Sequence, residues 1–126
     1  MSALRRMLHS KLHRLRVTEA NENYEGSITL SSDLLKAANL NPGEAVWIWD
    51  VTNGSRLETY TIEAPAGSNE VCINGAAAKL IRPNDIVIVA AFSLMTAEEA
   101  IGHQPLAVFV DDENKVIEVR CEKVVR

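Results

Sequence analysis

Two segments of this chain share the pattern apolar-x-Pro-[Gly/Asn]-acid-x-Val, and this repeat constrains the fold more than any other feature. The segments are residues 40–46, LNPGEAV, and residues 81–87, IRPNDIV. Proline presets the φ angle of a turn, and the glycine or asparagine after it accepts the left-handed conformation. Each copy follows a short alanine-rich stretch with helical character and leads into an apolar run. Two such halves predict a pseudo-twofold β-barrel.

The rest of the hydrophobic pattern predicts a mainly β fold with short helices. Strands are predicted over residues 7–18, 28–30, 45–51, 57–64, 71–73, 86–92, 106–110 and 116–120. The first of these also fits a helix face, but its length and its Val17-Thr18 end favour a strand. Residues 18–24 are polar and predict a loop, and Asn53-Gly54 predicts a hairpin.

Two short helices complete the prediction. Residues 32–38 predict one of them, with Ser31 or Ser32 as its N-cap. Thr96 and Glu99 have the spacing of a capping box, which predicts the start of the other.

Length and charge limit the function classes. At 126 residues the chain is expected to form a single domain over residues 1–126. A net charge of −4 argues against a general affinity for nucleic acid. Cys72 and Cys121 do not have the spacing of metal ligands. Two cysteines in a protein of this size are typically reduced thiols in the core of a cytosolic protein. No apolar run has the length of a membrane span, and no apolar run follows Arg5-Arg6 as in a leader. We expect a cytoplasmic protein with no membrane or nucleic-acid partner.

The stretch Tyr24-Glu25-Gly26-Ser27 allows two interpretations. The simpler one is a turn, because glycine tolerates many backbone conformations and serine bonds its own backbone. Alternatively, the Ser27 hydroxyl attacks the Gly26 carbonyl, and elimination from the resulting ester ends in a pyruvoyl group on a new N-terminus. That chemistry needs strain at the glycine, an oxyanion donor and a nearby cationic pocket.

Further candidate residues also have structural explanations. A strand over residues 7–18 places Lys11 and His13 on one face, as in a solvated basic edge strand. Trp47 and Trp49 share a face of the next long strand, as core or pocket wall. In residues 57–64, period two places Leu57, Thr59 and Thr61 on one face and Tyr60 on the other. The small residues 74–78, NGAAA, form a tight turn that lets another segment approach closely.

Taken together, these motifs resemble the aspartate decarboxylases, the pyruvoyl-dependent enzymes of pantothenate synthesis. The matching segments are Met7 with KLHR at 11–14 and VT at 17–18, YEGS at 24–27, WDVTNG at 49–54, Arg56, TY at 59–60, NGAA at 74–77 and DIVI at 85–88. Their order and spacing cover the chain from Met7 to about Phe92, and the last third is much less diagnostic. Glu22 and Ser32 depart from the family pattern at positions that have no part in its chemistry.

The resemblance implies a double-psi β-barrel, assembled as a homotetramer with active sites between subunits. It implies a proenzyme that cleaves itself between Gly26 and Ser27 into a β chain, 1–26, and an α chain, 27–126. The pyruvoyl group derived from Ser27 would be the only cofactor, with no metal and no pyridoxal phosphate. The reaction would convert L-aspartate into β-alanine and CO2. Whether an accessory maturation protein triggers the cleavage is left open by the sequence.

The resemblance also assigns roles to residues. The Ser27 pyruvoyl group would form a Schiff base with aspartate, Tyr60 would be the proton donor, and Thr59 would stabilise the oxyanion during cleavage at Gly26. The implied substrate-binding residues are Lys11 and Arg56 as carboxylate anchors, with His13, Trp49, Asn74, Gly75, Ala76 and Ala77.

One alternative belongs to a different function class. Residues 28–50 also resemble the swapped-hairpin barrel of transition-state regulators and antitoxins, which bind DNA. Such a module would place arginines on one face to neutralise phosphates, but the basic residues here lie mainly before Thr18. An inactive oligomeric barrel would leave Lys11, Arg56, Thr59 and Tyr60 unexplained. The decarboxylase interpretation is therefore preferred.

Overall fold

A computed structural model describes residues 3–125 of the chain. Within them the strands are β1 Leu4–Arg16, β2 Glu19–Asn21, β3 Ser27–Ser31, β4 Ala45–Asp50, β5 Arg56–Ala64, β6 Val71–Asn74, β7 Ile86–Thr96, β8 Leu106–Val110 and β9 Val116–Cys121. Two short α-helices, α1 Ser32–Ala37 and α2 Ala97–Ala100, and a 3-10 helix, Gly75–Lys79, lie between strands.

Strands β1 to β7 close into a barrel because β2 continues β1. Around the ring, β1 pairs with β7, β7 with β4, β4 with β5, β5 with β3, β3 with β6, and β6 with β2. The backbone N–H of Val17 donates to the Asp85 carbonyl at 2.9 Å, and that of Thr18 donates to the Val71 carbonyl at 2.8 Å. Through these two bonds the segment between β1 and β2 changes its neighbour from β7 to β6. The ring therefore has six positions and no open edge.

The two halves of the barrel repeat the same pairing. β5 runs antiparallel to β4 and then parallel to β3. In the other half β1 runs antiparallel to β7, and its continuation β2 runs parallel to β6. The repeated turns match as well, with positive φ at Gly43 (90°) and at Asn84 (75°). This interlocked pair of halves is a double-psi β-barrel, so the predicted mainly β fold with short helices is confirmed.

The barrel interior is filled by aliphatic side chains from both halves. Fully buried members include Leu12, Leu15, Val17, Ile28, Leu30, Leu34, Ile48, Val71, Ile73, Ile81, Val87 and Val89. Along β4 the burial alternates, with Val46 and Ile48 inside and Trp47 and Trp49 on the outer face. The β8–β9 hairpin lies outside the ring, where β8 pairs in parallel with Ser10–His13 of β1.

Several boundaries differ from the predictions. The loop predicted over residues 18–24 contains β2, because parallel pairing with β6 orders a polar segment that has no strand pattern of its own. β1 begins at Leu4, and β7 extends to Thr96 because the two strands pair along their whole length. Ser31 is the N-cap of α1 but forms no side-chain capping bond. The capping box of Thr96 and Glu99 is confirmed, as is the hairpin between β4 and β5.

One barrel corner buries a carboxyl group. Asp50, at the end of β4, is 2% exposed, and its Oδ1 accepts hydrogen bonds from the backbone N–H groups of Thr52 and Asn53 at 2.8 and 3.1 Å. Burial, followed by the neighbouring Asp85 carboxyl group, raises the pKa of Asp50 to about 6. This corner therefore holds a proton in the folded state at mildly acidic pH.

Candidate active site

The Gly26–Ser27 bond lies at the entrance to β3, where the sheet register fixes its surroundings. Ser27 is fully buried and is the register partner of Asn74 on β6. The Asn74 amide nitrogen donates to Ser27 Oγ at 2.9 Å and to Thr29 Oγ1 at 3.0 Å. Asn74 therefore holds the serine hydroxyl in this structure, and its bond to a substrate or pyruvoyl oxygen stays a prediction.

Cys72 fixes the orientation of Asn74. Its Sγ donates to Asn74 Oδ1 at 3.2 Å, which leaves the amide nitrogen directed at the two hydroxyls. Burial raises the pKa of Cys72 to about 11, so the thiol keeps the proton that it donates. Cys72 was not predicted at the site, although period two puts it on the same face of β6 as Asn74.

Gly75 packs directly against Gly26 and the backbone before it. Its φ angle is +75°, and a Cβ at this position would lie 2.6 Å from Gly26 Cα, 2.8 Å from Gly26 N and 3.2 Å from the Tyr24 carbonyl oxygen. The predicted close approach to the small residues after Asn74 is thus confirmed, with the tight turn formed as a 3-10 helix. Positive φ occurs at Gly75 and not at Gly26, and strain at Gly26 stays a prediction.

A cavity of about 340 Å³ opens beside Gly26. It is lined by Gly26, Leu57, Glu58, Thr59, Asn74, Ala76, Ala77 and Leu80. β5 contributes Thr59 on the face that it shares with Leu57, as period two predicts, and the 3-10 helix contributes Ala76 and Ala77. Leu57, Glu58 and Leu80 were not predicted for the site. The Ser27 hydroxyl also donates to the Glu25 carbonyl at 3.3 Å, which is the local bond that the turn interpretation expects.

The remaining predicted site residues lie elsewhere in the chain. The Gly26 cavity is lined by none of Lys11, His13, Trp49, Arg56 and Tyr60. Tyr60 is on the opposite face of β5 from Thr59 and is 39% exposed. Period two in β5 thus separates the two neighbours, and within one chain the predicted proton donor faces away from the Gly26–Ser27 bond.

Arg56 and Trp49 form a second group on the outer face of the barrel. They are register partners on β5 and β4, and the Arg56 Cζ lies 4.7 Å from the centre of the Trp49 ring. This stacking fixes the plane of the guanidinium group. Both residues line a shallow cavity of about 340 Å³ with Arg6, Trp47 and Phe92. The predicted shared face of Trp47 and Trp49 is confirmed.

Lys11 and His13 form a third group on β1, where they share a face as predicted. The Lys11 Nζ lies 2.6 Å from Glu122 Oε2, and the His13 ring packs against Phe109 with centroids 5.4 Å apart. Burial, followed by the charge of Lys11, lowers the pKa of His13, so its imidazole is neutral near pH 7. Among residues 3–125, the buried His13 Nδ1 has no hydrogen-bond partner.

Other chemical features add little to these groups. Over residues 3–125, the His, Cys, Asp and Glu side chains form no cluster of three that would suit a metal ion. The helices in that range are all too short or too polar to cross a membrane. Both cysteines are free thiols, but only Cys72 is buried; Cys121 is exposed and does not belong to a core.

Comparison with known proteins relates this geometry to one family. The family model described as "Aspartate decarboxylase" matches residues 3–117. "Aspartate 1-decarboxylase" of Legionella pneumophila (strain Lens) is 51% identical over 122 residues, covering 97% of this chain and 92% of the relative. The protein of the same name from Rhodopirellula baltica (strain DSM 10527 / NCIMB 13988 / SH1) is 51% identical over 118 residues, covering 94% of this chain and 76% of the relative.

Among solved structures, the rationally designed protein mkDPBB_sym_86 aligns with a TM-score of 0.47 at 14% identity, covering 61% of this chain and 90% of the design. The sequence matches are far stronger and extend from β1 into β9. They favour the decarboxylase interpretation over the DNA-binding one. The chain belongs to the aspartate decarboxylase family.

Proposed function

We propose that the chain cleaves itself between Gly26 and Ser27 and, as a carboxy-lyase, then converts L-aspartate into β-alanine and CO2. Family membership supports decarboxylation of aspartate. The observation that carries the self-cleavage is the buried Ser27 hydroxyl, held by Asn74 at 2.9 Å next to a glycine that Gly75 contacts directly. A purely structural turn would need neither the buried hydroxyl nor its fixed amide partner.

The cleavage balances without any reagent other than water. Ser27 Oγ bonds to the Gly26 carbonyl carbon, the Gly26–Ser27 C–N bond breaks, and the hydroxyl proton passes to the freed amine. Loss of the Ser27 α-proton then breaks the Cβ–O bond and releases the Gly26 carboxylate from a dehydroalanine. Hydrolysis of that enamine consumes one water and releases one ammonia, leaving a pyruvoyl group at position 27.

The residues around the bond suit these steps. Asn74 orients the nucleophilic hydroxyl, and Gly75 restricts the position of Gly26. Thr59 lines the same cavity as Gly26 and is the proposed hydroxyl donor to the developing oxyanion. Ala76 and Ala77 keep the cavity open beside the new N-terminus. Once formed there, the ketone supplies an electron sink for the pair of electrons left by the departing α-carboxylate.

Substrate binding requires a second chain in this proposal. Lys11, Arg56 and Tyr60 carry the chemistry expected for carboxylate binding and proton return, yet none lines the cavity beside Gly26 in a single chain. We infer that a neighbouring subunit completes the site, as in the homotetramer that the family resemblance implies. The enzyme is proposed to act in the cytoplasm. Trp49 fixes the Arg56 guanidinium by stacking. The Lys11 ammonium is half-buried, so it is less hydrated than an exposed lysine and can offer a point charge to a carboxylate.

Replacement of Ser27 tests the cleavage directly. Ser27→Ala is expected to remain one full-length chain without activity, because no hydroxyl remains to attack Gly26. Ser31→Ala is the matched control, since Ser31 is a buried serine on the same strand that is remote from the bond. Intact mass spectrometry should show two fragments for the control and one chain for Ser27→Ala. Cleavage of Ser27→Ala at this bond would refute the mechanism.

Borohydride trapping tests the ketone. Reduction in the presence of aspartate should attach the substrate to the first residue of the chain that begins at position 27, and peptide mass locates the adduct. Ser27→Ala should give no adduct. Incubating the purified precursor alone tests whether an accessory protein is needed for cleavage. Activity that dialysis abolishes, and that added metal or pyridoxal phosphate restores, would contradict the proposal.

A further inference from the structure

The ammonium group proposed to bind a substrate carboxylate already has a carboxylate partner in this chain. Lys11 Nζ lies 2.6 Å from Glu122 Oε2, and the two side chains are 19% and 24% exposed. Among the ion pairs of the described residues, this one has the shortest separation and is the most shielded from solvent. A short, shielded ion pair is stronger than one between flexible exposed side chains.

Both ends of the pair are held by the backbone. Lys11 lies within β1, paired with Ala90 of β7 and Ala107 of β8. Glu122 follows directly after β9, and its N–H donates to the Pro105 carbonyl at 2.7 Å. The carboxylate is therefore presented to the ammonium by the fold and does not reach it from a loose terminus.

The chemistry of Glu122 is that of the proposed substrate. Its side chain ends in a carboxylate on a methylene stem, as the side chain of aspartate does, and Lys11 offers a single positive charge. A neighbouring cation, Arg120, stacks on Phe109 with its Cζ 4.2 Å from the ring centre. Glu122 also lies outside the match of the family model, which ends at residue 117.

We propose that Glu122 occupies the carboxylate-binding position on Lys11 and competes with aspartate for it, so that the segment after β9 sets the apparent substrate affinity. The proposal rests on the role of Lys11 in the proposed function. Aspartate must displace the Glu122 carboxylate to reach Lys11, which raises KM, whereas the chemical step itself is not affected.

Charge removal by Glu122→Gln tests the competition. We expect KM for aspartate to fall about fivefold, which is the effect expected from removing one partly shielded charged contact. The kcat value should stay within about twofold of wild type. Glu118→Gln is the matched control, because it removes the same charge from the same hairpin but contacts Arg120 at 3.5 Å. Its KM should match wild type. An unchanged or raised KM in Glu122→Gln, or an equal fall in both variants, would overturn the proposal.

A second readout does not depend on turnover. Lys11 in the purified protein is labelled with an amine-reactive reagent and quantified by peptide mass, with and without the inert dicarboxylate succinate. Glu122→Gln should label Lys11 faster, and succinate should protect it at a lower concentration than in wild type. Equal labelling and equal protection would overturn the competition. If wild type releases no CO2 from aspartate, the proposed function fails, while the labelling result still decides the Glu122–Lys11 competition.

Discussion

Gly75→Ala separates the conformational role of this glycine from its contact with Gly26. Gly75 has φ +75°, and a methyl group there would lie 2.6 Å from Gly26 Cα. Gly67 has nearly the same backbone conformation, φ +76°, but nothing lies within 4 Å of its Cβ position. The two alanine variants therefore share the conformational cost and differ in the steric contact.

The structure gives the size of each effect. A non-glycine residue in the left-handed region costs about 1–2 kcal/mol, which both variants should lose in unfolding free energy. Carbon atoms in contact lie roughly 3.5–4.0 Å apart, so the Gly75 methyl group must displace Gly26 by about 1 Å. A displacement of about 1 Å at a reacting group lowers rates by on the order of 100-fold. Gly75→Ala should thus process far more slowly than Gly67→Ala.

The assay combines urea unfolding with the time course of the two fragments by intact mass, at a temperature where both variants are folded. Gly67→Ala should lose about 1–2 kcal/mol of unfolding free energy and be processed at the wild-type rate. Gly75→Ala should lose more stability and be processed at least about tenfold more slowly. Equal processing rates in two folded variants would refute the claim that Gly75 positions Gly26.

Three further substitutions test other parts of the account. Thr59→Ala should fold normally and be processed poorly, because the cavity loses the proposed oxyanion donor; wild-type fragment yields would exclude that role. Arg56→Ala should be processed normally but weaken aspartate binding by about 1.5–3 kcal/mol, and an unchanged kcat/KM would remove Arg56 from the site. Because the pKa of Asp50 is raised to about 6 in the folded state, its contribution to the free energy of unfolding is present at pH 4 and should be lost as pH rises to 7, by on the order of 2 kcal/mol. The difference in unfolding free energy between wild type and Asp50→Asn, measured by urea unfolding, should therefore change by that amount between pH 4 and 7, and parallel pH profiles would contradict the buried proton.

The barrel was predictable because local signals and long-range pairing agree. The repeated Pro-[Gly/Asn] turns mark equivalent corners, and the structure confirms the positive φ at Gly43 and Asn84. Period two likewise gave the correct faces for Thr59 and Tyr60. β2 was missed because its order comes from pairing with β6, which the local sequence does not reveal.

The site was predictable only in part, for a related reason. Motifs and the family resemblance named Ser27, Asn74 and Gly75 as candidates, but the pairing of Ser27 with Asn74 depends on a register between β3 and β6 that the sequence does not show. The thiol of Cys72 orients Asn74 on that same strand through a hydrogen bond that no sequence pattern predicts. Glu122 had no sequence signal at all, since its contact with Lys11 joins residues at opposite ends of the chain.

Ser27 is proposed to become the reactive group through cleavage of its own peptide bond. Intact mass spectrometry of the purified wild-type protein tests this most directly. We predict one chain of residues 1–26 with a free carboxylate and one chain beginning at position 27 whose mass is lower by one ammonia than that of a serine terminus. A single full-length chain that decarboxylates aspartate, or a second chain with an intact N-terminal serine, would contradict the account.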